Sequence, residues 1–239
     1  MELRNSVALV TGASRGLGLE IARAYAARGA RLVLAARGAE ALERAAAELR
    51  GQTEVVALAA DVSEEAERLV AAGIERFGRI DVLVNNASEL GPSPMPALAD
   101  YRWQELERVL RVNVLAPLHL TQLVLPGMCE RGAGVIINVS SDAGVEAYPG
   151  WGGYGASKAA LEHLSRTLAA ELEGTGVRVY AVDPGDMNTV MHQLAEPGVD
   201  LSGLPGPEVA APAFVWLVEN ETAAYARMQA QVALAGAEA

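Results

Sequence analysis

The chain has 239 residues, of which 51% are hydrophobic, and its formal net charge is −11. This charge and the lack of a basic run argue against nucleic acid or an anionic membrane surface as a partner, and no apolar run approaches the ~20 residues of a membrane span. The single cysteine, Cys129, excludes an internal disulfide, and the three histidines lack metal-ligand spacing, so we expect no metal. The start has no signal-peptide layout, and we therefore expect a cytoplasmic protein.

Short β-branched or Leu-rich runs alternate along the chain with longer segments rich in Ala, Leu, Glu and Arg. The runs show little polar alternation, which is typical of strands buried on both faces. We predict strands at 7–10, 31–36, 54–60, 80–87, 134–141, 177–184 and 226–232. We predict helices near 17–28, 39–50, 63–77, 101–131, 154–173 and 207–220.

This alternation predicts a mostly parallel, seven-stranded sheet with right-handed crossovers and helices on both faces, a doubly wound α/β fold. No linker or shift in composition divides the chain, so we expect one domain over residues 1–239. Two Pro/Gly-rich stretches, 88–99 and 192–207, interrupt the pattern. Such loops bind ligands in open α/β sheets, and we predict a small substrate lid around 188–207.

A Gly-rich turn, TGASRGLG, joins the first strand to the first helix and places Gly12, Gly16 and Gly18 at the junction. Glycines there allow a tight turn and let backbone N–H groups approach a pyrophosphate. The helix N-terminus adds partial positive charge for the same anion. A strand before the turn and a helix after it predict a dinucleotide-binding, Rossmann-type domain.

The end of the second strand, LVLAAR, indicates which dinucleotide is preferred. Ala36 stands where a carboxylate would bind the ribose 2′-hydroxyl of NAD, and Arg37 follows it. Arg15, in the Gly-rich turn, could reach the same place, and two guanidiniums suit a 2′-phosphate. The alternative is that both arginines are ordinary solvated side chains. We predict that NADP(H) is favoured over NAD(H).

Several short motifs, in order from residue 11 to about 189, resemble the short-chain dehydrogenase/reductase family in its compact single-domain branch. They are TGASRGLG, the Asp of AADVS, NNA, the Asn of RVNVLAP, INVSS, YGASK and DPGDMNT. With Arg37, the resemblance implies cofactor contacts from Gly12, Ser14, Arg15, Gly16, Leu17, Gly18, Arg37, Asp61, Val62, Asn85, Asn86, Ala87, Tyr154, Lys158, Pro184, Gly185, Met187 and Thr189.

The same resemblance implies a catalytic tetrad of Asn113, Ser141, Tyr154 and Lys158. Tyrosine has an ordinary pKa of about 10, and a nearby ammonium would stabilise tyrosinate and lower that pKa. Ser141 would hydrogen-bond the substrate oxygen, and Asn113 would bind a water linking Lys158 to solvent. Each residue alone has a structural alternative, such as packing or capping.

Departures from the family pattern affect the substrate side and the C-terminus. Ser88 replaces the glycine that commonly completes N-N-A-G, and Asp186 lies inside the P-G-x-x-x-T segment. The chain ends YARMQAQVALAGAEA in place of the frequent T-G…V-D-G-G ending. The usual subunit contact of the last strand is therefore in doubt, although the chemistry is not.

The predicted substrate walls are Ala143, Tyr148, Trp151, Met191 and His192, with Met187, Leu90 and Met95 nearby. They favour a small, mainly apolar or aromatic molecule bearing a ketone or secondary alcohol, although each could equally pack the lid. We predict an NAD(P)(H)-dependent oxidoreductase; the alternative is a non-catalytic NAD(P)-sensing protein. Helices apolar around much of their circumference favour a homodimer or homotetramer.

Overall fold

The computed structural model describes residues 1–230. The strands are β1 (Val7–Thr11), β2 (Arg31–Ala36), β3 (Val55–Ala59), β4 (Val82–Asn85), β5 (Gly134–Val139), β6 (Val177–Asp183) and β7 (Tyr225–Gln229). The α-helices are α1 (Gly16–Ala27), α2 (Ala39–Leu49), α3 (Ala66–Phe77), α4 (Trp103–Leu110), α5 (Ala116–Arg131), α6 (Gly152–Glu171), α7 (Val190–Ala195) and α8 (Ala211–Glu219).

All seven strands form one sheet in the order β3-β2-β1-β4-β5-β6-β7, and every neighbouring pair is parallel. The predicted seven-stranded, doubly wound α/β fold is confirmed. Residues 231 and 232 of the predicted last strand lie outside the described residues. The order of the strands reverses between β1 and β4, and ligands of such sheets bind in the crevice at that switch point.

The sheet is buried on both faces, which explains the absence of polar alternation in its strands. Along β1, Ala8 and Val10 pack in the cluster that contains residues of α1, α2 and α8. Val7 and Leu9 pack in the other cluster, with residues of α3, α5 and α6. Consecutive strand side chains point to opposite faces, so both sets must be apolar.

The helix predicted over 101–131 is interrupted by one π-helical turn, Arg111–Leu115, between α4 and α5. The whole stretch, Trp103–Arg131, is 29 residues long and apolar enough, by length and composition, to cross a membrane. In this fold it contacts α3, β4 and β5 and forms part of the layer that covers the sheet.

The predicted lid region contains a short helix, α7, that the Pro/Gly content of the segment had obscured. Thr189 caps this helix, because its hydroxyl accepts a hydrogen bond from the His192 N–H at 3.2 Å. The Ser93 hydroxyl donates to the Leu194 carbonyl at 2.6 Å. This bond joins α7 to the Pro/Gly-rich loop 88–99, so the two irregular segments are in contact.

Candidate active site

The Gly-rich turn requires glycine for two different reasons. Gly12 and Gly16 adopt φ of 66° and 57°, in the left-handed region. A Cβ on Gly18 would overlap the Gly12 carbonyl oxygen and lie 2.5 Å from Asn86 Nδ2. By contrast, a Cβ on Gly16 would meet nothing nearer than Thr189 Cγ2 at 4.0 Å. The start of α1 therefore borders an open cradle, and no side chain caps it, which suits a pyrophosphate.

Thr11 and Asn86 hold the two strands at the switch point together. The Thr11 hydroxyl donates to the Val84 carbonyl at 3.1 Å and accepts from the backbone N–H groups of Asn86 and Ala87 at 2.9 and 3.0 Å. Asn86 Nδ2 donates to the Thr11 carbonyl at 2.8 Å. Asn86 thus steadies the Gly-rich turn, and Thr11 is a supporting residue that the sequence-based list omits.

The resemblance implies a cofactor contact for Asn85. In this structure its side chain instead lies inside the protein and joins two strands. Its side chain is buried, 3% exposed, and donates to Asn138 Oδ1 at 2.8 Å across β4 and β5. Asn138 in turn donates to the Ser165 hydroxyl of α6 at 2.8 Å. This chain of bonds fixes α6 on the sheet.

The predicted adenosine end lies where β2 and β3 finish. Asp61 is partly buried and accepts from the Ser63 N–H and hydroxyl at 2.9 and 2.6 Å. Burial tends to raise the pKa of Asp61, but these bonds and the positive charge of Arg37 outweigh burial and lower the pKa. Arg37 is exposed and pairs with Glu89 at 3.4 Å. Glu89 also faces Arg108.

The other implied cofactor residues border the same crevice or support it. Val62 and Leu17 are buried, Ser14 and Ala87 are partly buried, and Arg15 is exposed. On the far side, Gly185 adopts φ of 76°. Its N–H donates to the Asp183 carboxylate at 3.0 Å. The remaining residues of that segment, Pro184, Met187 and Thr189, are partly buried.

Ser141, Tyr154 and Lys158 come together between the end of β5 and the first turns of α6. Ser141 follows β5 in an extended conformation. Lys158 Nζ lies 5.4 Å from the centroid of the Tyr154 ring. Lys158 is 2% exposed, and its ammonium donates to the Val139 carbonyl at 2.7 Å. Trp151 packs edge-on against Tyr154, with ring centroids 5.9 Å apart.

The pKa values of the tyrosine and the lysine are both shifted by burial. Burial raises the pKa of Tyr154; the nearby hydroxyls of Ser88 and Ser141 oppose this rise, and the negative charges of Asp183 and Asp142 add to it. Burial lowers the pKa of Lys158 to about 8, against the charge of Glu162. In the protein alone, desolvation of the phenol dominates; the lowering of the tyrosine pKa by the ammonium together with an oxidised nicotinamide stays a prediction.

The Asn113 side chain, in the π-helical turn, has its hydrogen-bonding capacity filled. Its Nδ2 donates to the Ser157 hydroxyl and the Glu89 carbonyl, both at 2.9 Å. Its Oδ1 accepts from the Glu89 N–H at 2.7 Å and the Ser88 hydroxyl at 3.2 Å. An amide has two donors and two acceptor lone pairs, so the side chain has no site left for the implied water. A water bound here would contact the backbone of the turn.

Ser88, the residue that departs from the family pattern, is part of this network. It donates to Asn113, and its hydroxyl also lies close enough to the Tyr154 phenol to act on its pKa. Tyr154 is therefore flanked by two serine hydroxyls, those of Ser88 and Ser141. Sequence comparison with the motif indicated only a change in the loop.

A cavity of about 360 Å³ reaches the tetrad through Trp151, which packs on Tyr154, and through Asp142, which follows Ser141; its lining residues do not include the tetrad itself. It is lined by Asp142, Ala143, Tyr148, Trp151, Asp186, His192, Glu196, Asp200, Leu201, Gly203 and Leu204. Four predicted wall residues, Ala143, Tyr148, Trp151 and His192, are in this set, whereas Met191, Met187, Leu90 and Met95 are not. The prediction of mainly apolar walls missed four carboxylates; Glu196 and Asp200 belong to the lid, so their place depends on how the lid folds back, whereas Asp142 and Asp186 lie outside it.

Asp142 connects the cavity to Ser141. Its carboxylate accepts from the Ser141 hydroxyl at 3.0 Å and from the Tyr148 hydroxyl at 2.9 Å. The Ala143 N–H donates to the same carboxylate at 2.7 Å. The Asp directly after the motif serine was the available sequence signal for this acidic lining.

The parallel sheet, the Gly-rich turn at its switch point and the grouped Tyr, Lys, Ser and Asn are the features of a dinucleotide-dependent oxidoreductase. The short chain dehydrogenase family model matches residues 6–199. The chain therefore belongs to the short chain dehydrogenase family and is an NAD(P)-dependent dehydrogenase/reductase.

Named relatives and solved structures agree with this assignment. The chain is 40% identical over 191 residues to 2-(R)-hydroxypropyl-CoM dehydrogenase of Xanthobacter autotrophicus, covering 78% of this chain and 76% of that one. A short chain dehydrogenase from Salmonella enterica serovar Typhi superposes with a TM-score of 0.87 at 31% identity, covering 96% and 98% of the two chains. A metagenomic short-chain oxidoreductase in complex with NADP gives 0.80 at 31% identity, covering 96% and 99%.

Proposed function

We propose that this oxidoreductase interconverts a ketone and a secondary alcohol on a small molecule, that it prefers NADP(H), and that Tyr154 is its acid and base. The observation that carries the proposal is the packing of Tyr154 against Trp151, a wall of the cavity, with ring centroids 5.9 Å apart. A buried lysine lies against the ring of the same tyrosine, 5.4 Å from its centroid.

The residues of the crevice fit a nicotinamide dinucleotide, which supplies or accepts the hydride when bound. The open cradle at Gly16 and the uncapped start of α1 would hold the pyrophosphate. Thr189, across the cradle, and Lys158 would hold the nicotinamide end. Asp61 and Val62 would contact the adenosine end.

In the direction of reduction, the Tyr154 phenol donates its proton to the substrate oxygen as the carbonyl carbon gains a hydride. The raised pKa of Tyr154 keeps the phenol protonated near neutral pH, so it is ready to act as the acid. To donate a hydrogen bond to the same oxygen and stabilise its developing charge, the Ser141 hydroxyl turns away from the Asp142 carboxylate, which accepts its hydrogen bond in this structure. Lys158 holds the tyrosinate that remains until a proton returns from solvent.

The preference for NADP(H) rests on Arg37 and Arg15, which are both exposed near the end of β2. A guanidinium binds a 2′-phosphate by charge-assisted hydrogen bonds. A structural neighbour, the metagenomic oxidoreductase, is described in complex with NADP. Glu89 opposes this preference, because it pairs with Arg37 at 3.4 Å and competes for the guanidinium.

The charge of the cavity narrows the class of substrate. Asp142, Asp186, Glu196 and Asp200 line it, and no lysine or arginine is among its lining residues. An anionic substrate would be repelled by these carboxylates. We therefore propose a neutral or positively charged carbonyl compound whose apolar part packs against Trp151 and Ala143.

Self-association is the remaining part of the proposal. Trp103 and Leu115, at two points of the α4–α5 stretch, are 68% and 55% exposed. Large apolar side chains on an outer helix face favour contact with a second copy of the chain. We propose a homodimer or homotetramer built on this face, which analytical ultracentrifugation would test.

The function is tested with three para-substituted acetophenones of similar shape: a trimethylammonium, a tert-butyl and a carboxylate compound. Each is incubated with NADPH or NADH, and oxidation of the cofactor is followed by absorbance. We expect turnover of the cationic and neutral ketones, faster with NADPH, and little turnover of the carboxylate.

The control for this experiment is Tyr154→Phe. Loss of the acid should lower kcat about 100-fold to 10,000-fold, whereas the Kd for NADPH, measured by calorimetry, should stay nearly unchanged. Tight cofactor binding with no turnover of any ketone or alcohol would instead identify a nucleotide-sensing protein.

A further inference from the structure

Lys158 is the only lysine in the sequence; the other basic side chains of this chain are arginines and three histidines. It is also buried, 2% exposed. Removing an ammonium from water disfavours its charge, yet the proposed reaction needs that charge beside Tyr154. Something within the fold must therefore oppose the effect of burial.

Glu162 lies one helical turn after Lys158 on α6, which places both side chains on one face of the helix. It is 4% exposed and accepts from the Ser140 hydroxyl at 2.5 Å. Ser140 stands between Val139, whose carbonyl accepts the Lys158 ammonium, and Ser141. Glu162 therefore fixes the end of β5 between the partner of the lysine and the catalytic serine.

Arg227 of β7 is the other partner of Glu162. Its Nε lies 3.0 Å from each carboxylate oxygen, and its side chain is 29% exposed. This arginine belongs to the C-terminal segment that departs from the family pattern. It offsets part of the negative charge that Glu162 presents to Lys158.

We propose that Glu162 is a positioning residue that keeps the buried Lys158 ammonium charged, and that Arg227 limits the strength of this effect. The inference rests on the proposed function only in taking Lys158 as catalytic. The electrostatic coupling itself can be measured without turnover.

Other charged groups near the pair do not supply the same effect. Tyr154 packs against the lysine from its own helix. Asp183, on β6, is buried, and burial raises its pKa. Tyr225, on β7, has its pKa raised by burial and by the charge of Glu162. Glu162 is the carboxylate whose charge acts against burial at Lys158.

The two partners of the ion pair should shift the titration of Lys158 in opposite directions. Glu162→Gln removes the negative charge and leaves Arg227, so the pKa of Lys158 should fall from about 8 by about 1 unit. Arg227→Gln removes the opposing cation, so this pKa should rise. A role limited to packing would not reverse sign between the two variants.

The measurement uses protein labelled with ¹³Cε-lysine, which gives a single resonance because the chain has one lysine. The shift of this carbon is followed against pH for wild type and for the two variants, with circular dichroism to verify folding. A change below about 0.3 unit in Glu162→Gln, or shifts of equal sign in both variants, would overturn the proposal. If Glu162→Gln does not fold, the sign of the shift in Arg227→Gln decides.

Turnover supplies a second readout. Activity that needs a charged lysine is lost as pH rises through the pKa of Lys158, so the basic limb of the kcat profile should move to lower pH in Glu162→Gln. Arg227→Lys keeps the positive charge beside Glu162, so its kcat profile should match that of the wild type. Opposite shifts in the ¹³C titration without ketone turnover by the wild type would support the coupling and count against the proposed reaction.

Discussion

The cofactor side and the substrate side of the crevice are built by different means. On the cofactor side, Gly18 leaves no room for a Cβ, because the Gly12 carbonyl oxygen of the same turn and the Asn86 side chain lie against it. On the substrate side, the lid approaches the sheet through side chains, and a Cβ on Gly203 would meet no atom within 4 Å. Gly18 therefore cannot accept an added methyl group, whereas Gly203 can.

The two sides also differ in charge. Arg15 and Arg37 are exposed at the proposed adenosine end, and four carboxylates line the cavity. Because the net charge of the chain is −11, the positive end is the exception. The crevice is therefore suited to an anionic cofactor at one end and to a substrate without negative charge at the other.

Among the substitutions that compare the two sides of the crevice, Gly18→Ala should have the largest effect on stability and on cofactor binding. Its Cβ would lie 2.5 Å from Asn86 Nδ2 and overlap the Gly12 carbonyl oxygen, and overpacking of this kind costs about 1–3 kcal/mol. We expect a lower free energy of unfolding in urea and a large loss of affinity for NADPH.

Two matched glycines serve as controls for Gly18→Ala. Gly203→Ala places its methyl in open space within the lid, and Gly51→Ala meets only the Glu48 carbonyl at 3.7 Å. Both should stay within about 0.5 kcal/mol of wild type. Equal destabilisation by Gly203→Ala would remove the contrast between the two sides of the crevice.

The next effect concerns the choice of cofactor. Arg37→Asp should lower the NADPH/NADH ratio of kcat/KM about tenfold to a hundredfold, since a charge-assisted hydrogen bond contributes about 1.5–3 kcal/mol. Arg44→Asp makes the same change of charge on an exposed residue of α2 that pairs with Glu40, and it should leave the ratio unchanged.

Glu89→Gln sharpens the same test from the opposite direction. Glu89 holds Asn113 through its backbone N–H and carbonyl, so this substitution leaves those bonds in place and removes the charge that pairs with Arg37 and Arg108. The NADPH/NADH ratio should then rise. A ratio that stays the same in both Arg37→Asp and Glu89→Gln would count against Arg37 as the contact to the 2′-phosphate.

The fold was predictable because its signals are local. The five inner strands, β2, β1, β4, β5 and β6, are short apolar runs, and burial on both faces gives them a pattern that no amphipathic segment shares. The interruption of helix 101–131 at Arg111–Leu115 was not predictable in this way. A π-helical turn adds a residue to the helix without any change in hydrophobic composition.

The site was predictable in part. As with the fold, the local features were predicted and the features that depend on contacts between distant segments were not. The positions of Gly12, Gly16 and Gly18 depend on one turn, and the sequence indicates that turn directly. The part of the acidic lining that Glu196 and Asp200 supply depends on the lid lying near Asp142, in a segment far from it in sequence. Glu162 is hidden for a similar reason, since its partner Arg227 lies on β7, far along the chain.

The smallest effect tests the substrate side. Asp186 is exposed at the cavity, where a charge interaction in water contributes roughly 1 kcal/mol or less. Asp186→Asn should therefore raise KM for the trimethylammonium ketone about twofold to fivefold and leave KM for the tert-butyl ketone unchanged. Glu173→Gln makes the same change of net charge after α6, away from the cavity, and should alter neither value. Because the two ketones differ in charge and hardly in shape, equal changes in both KM values would mean that Asp186 acts on the lid and not on the charge of the substrate.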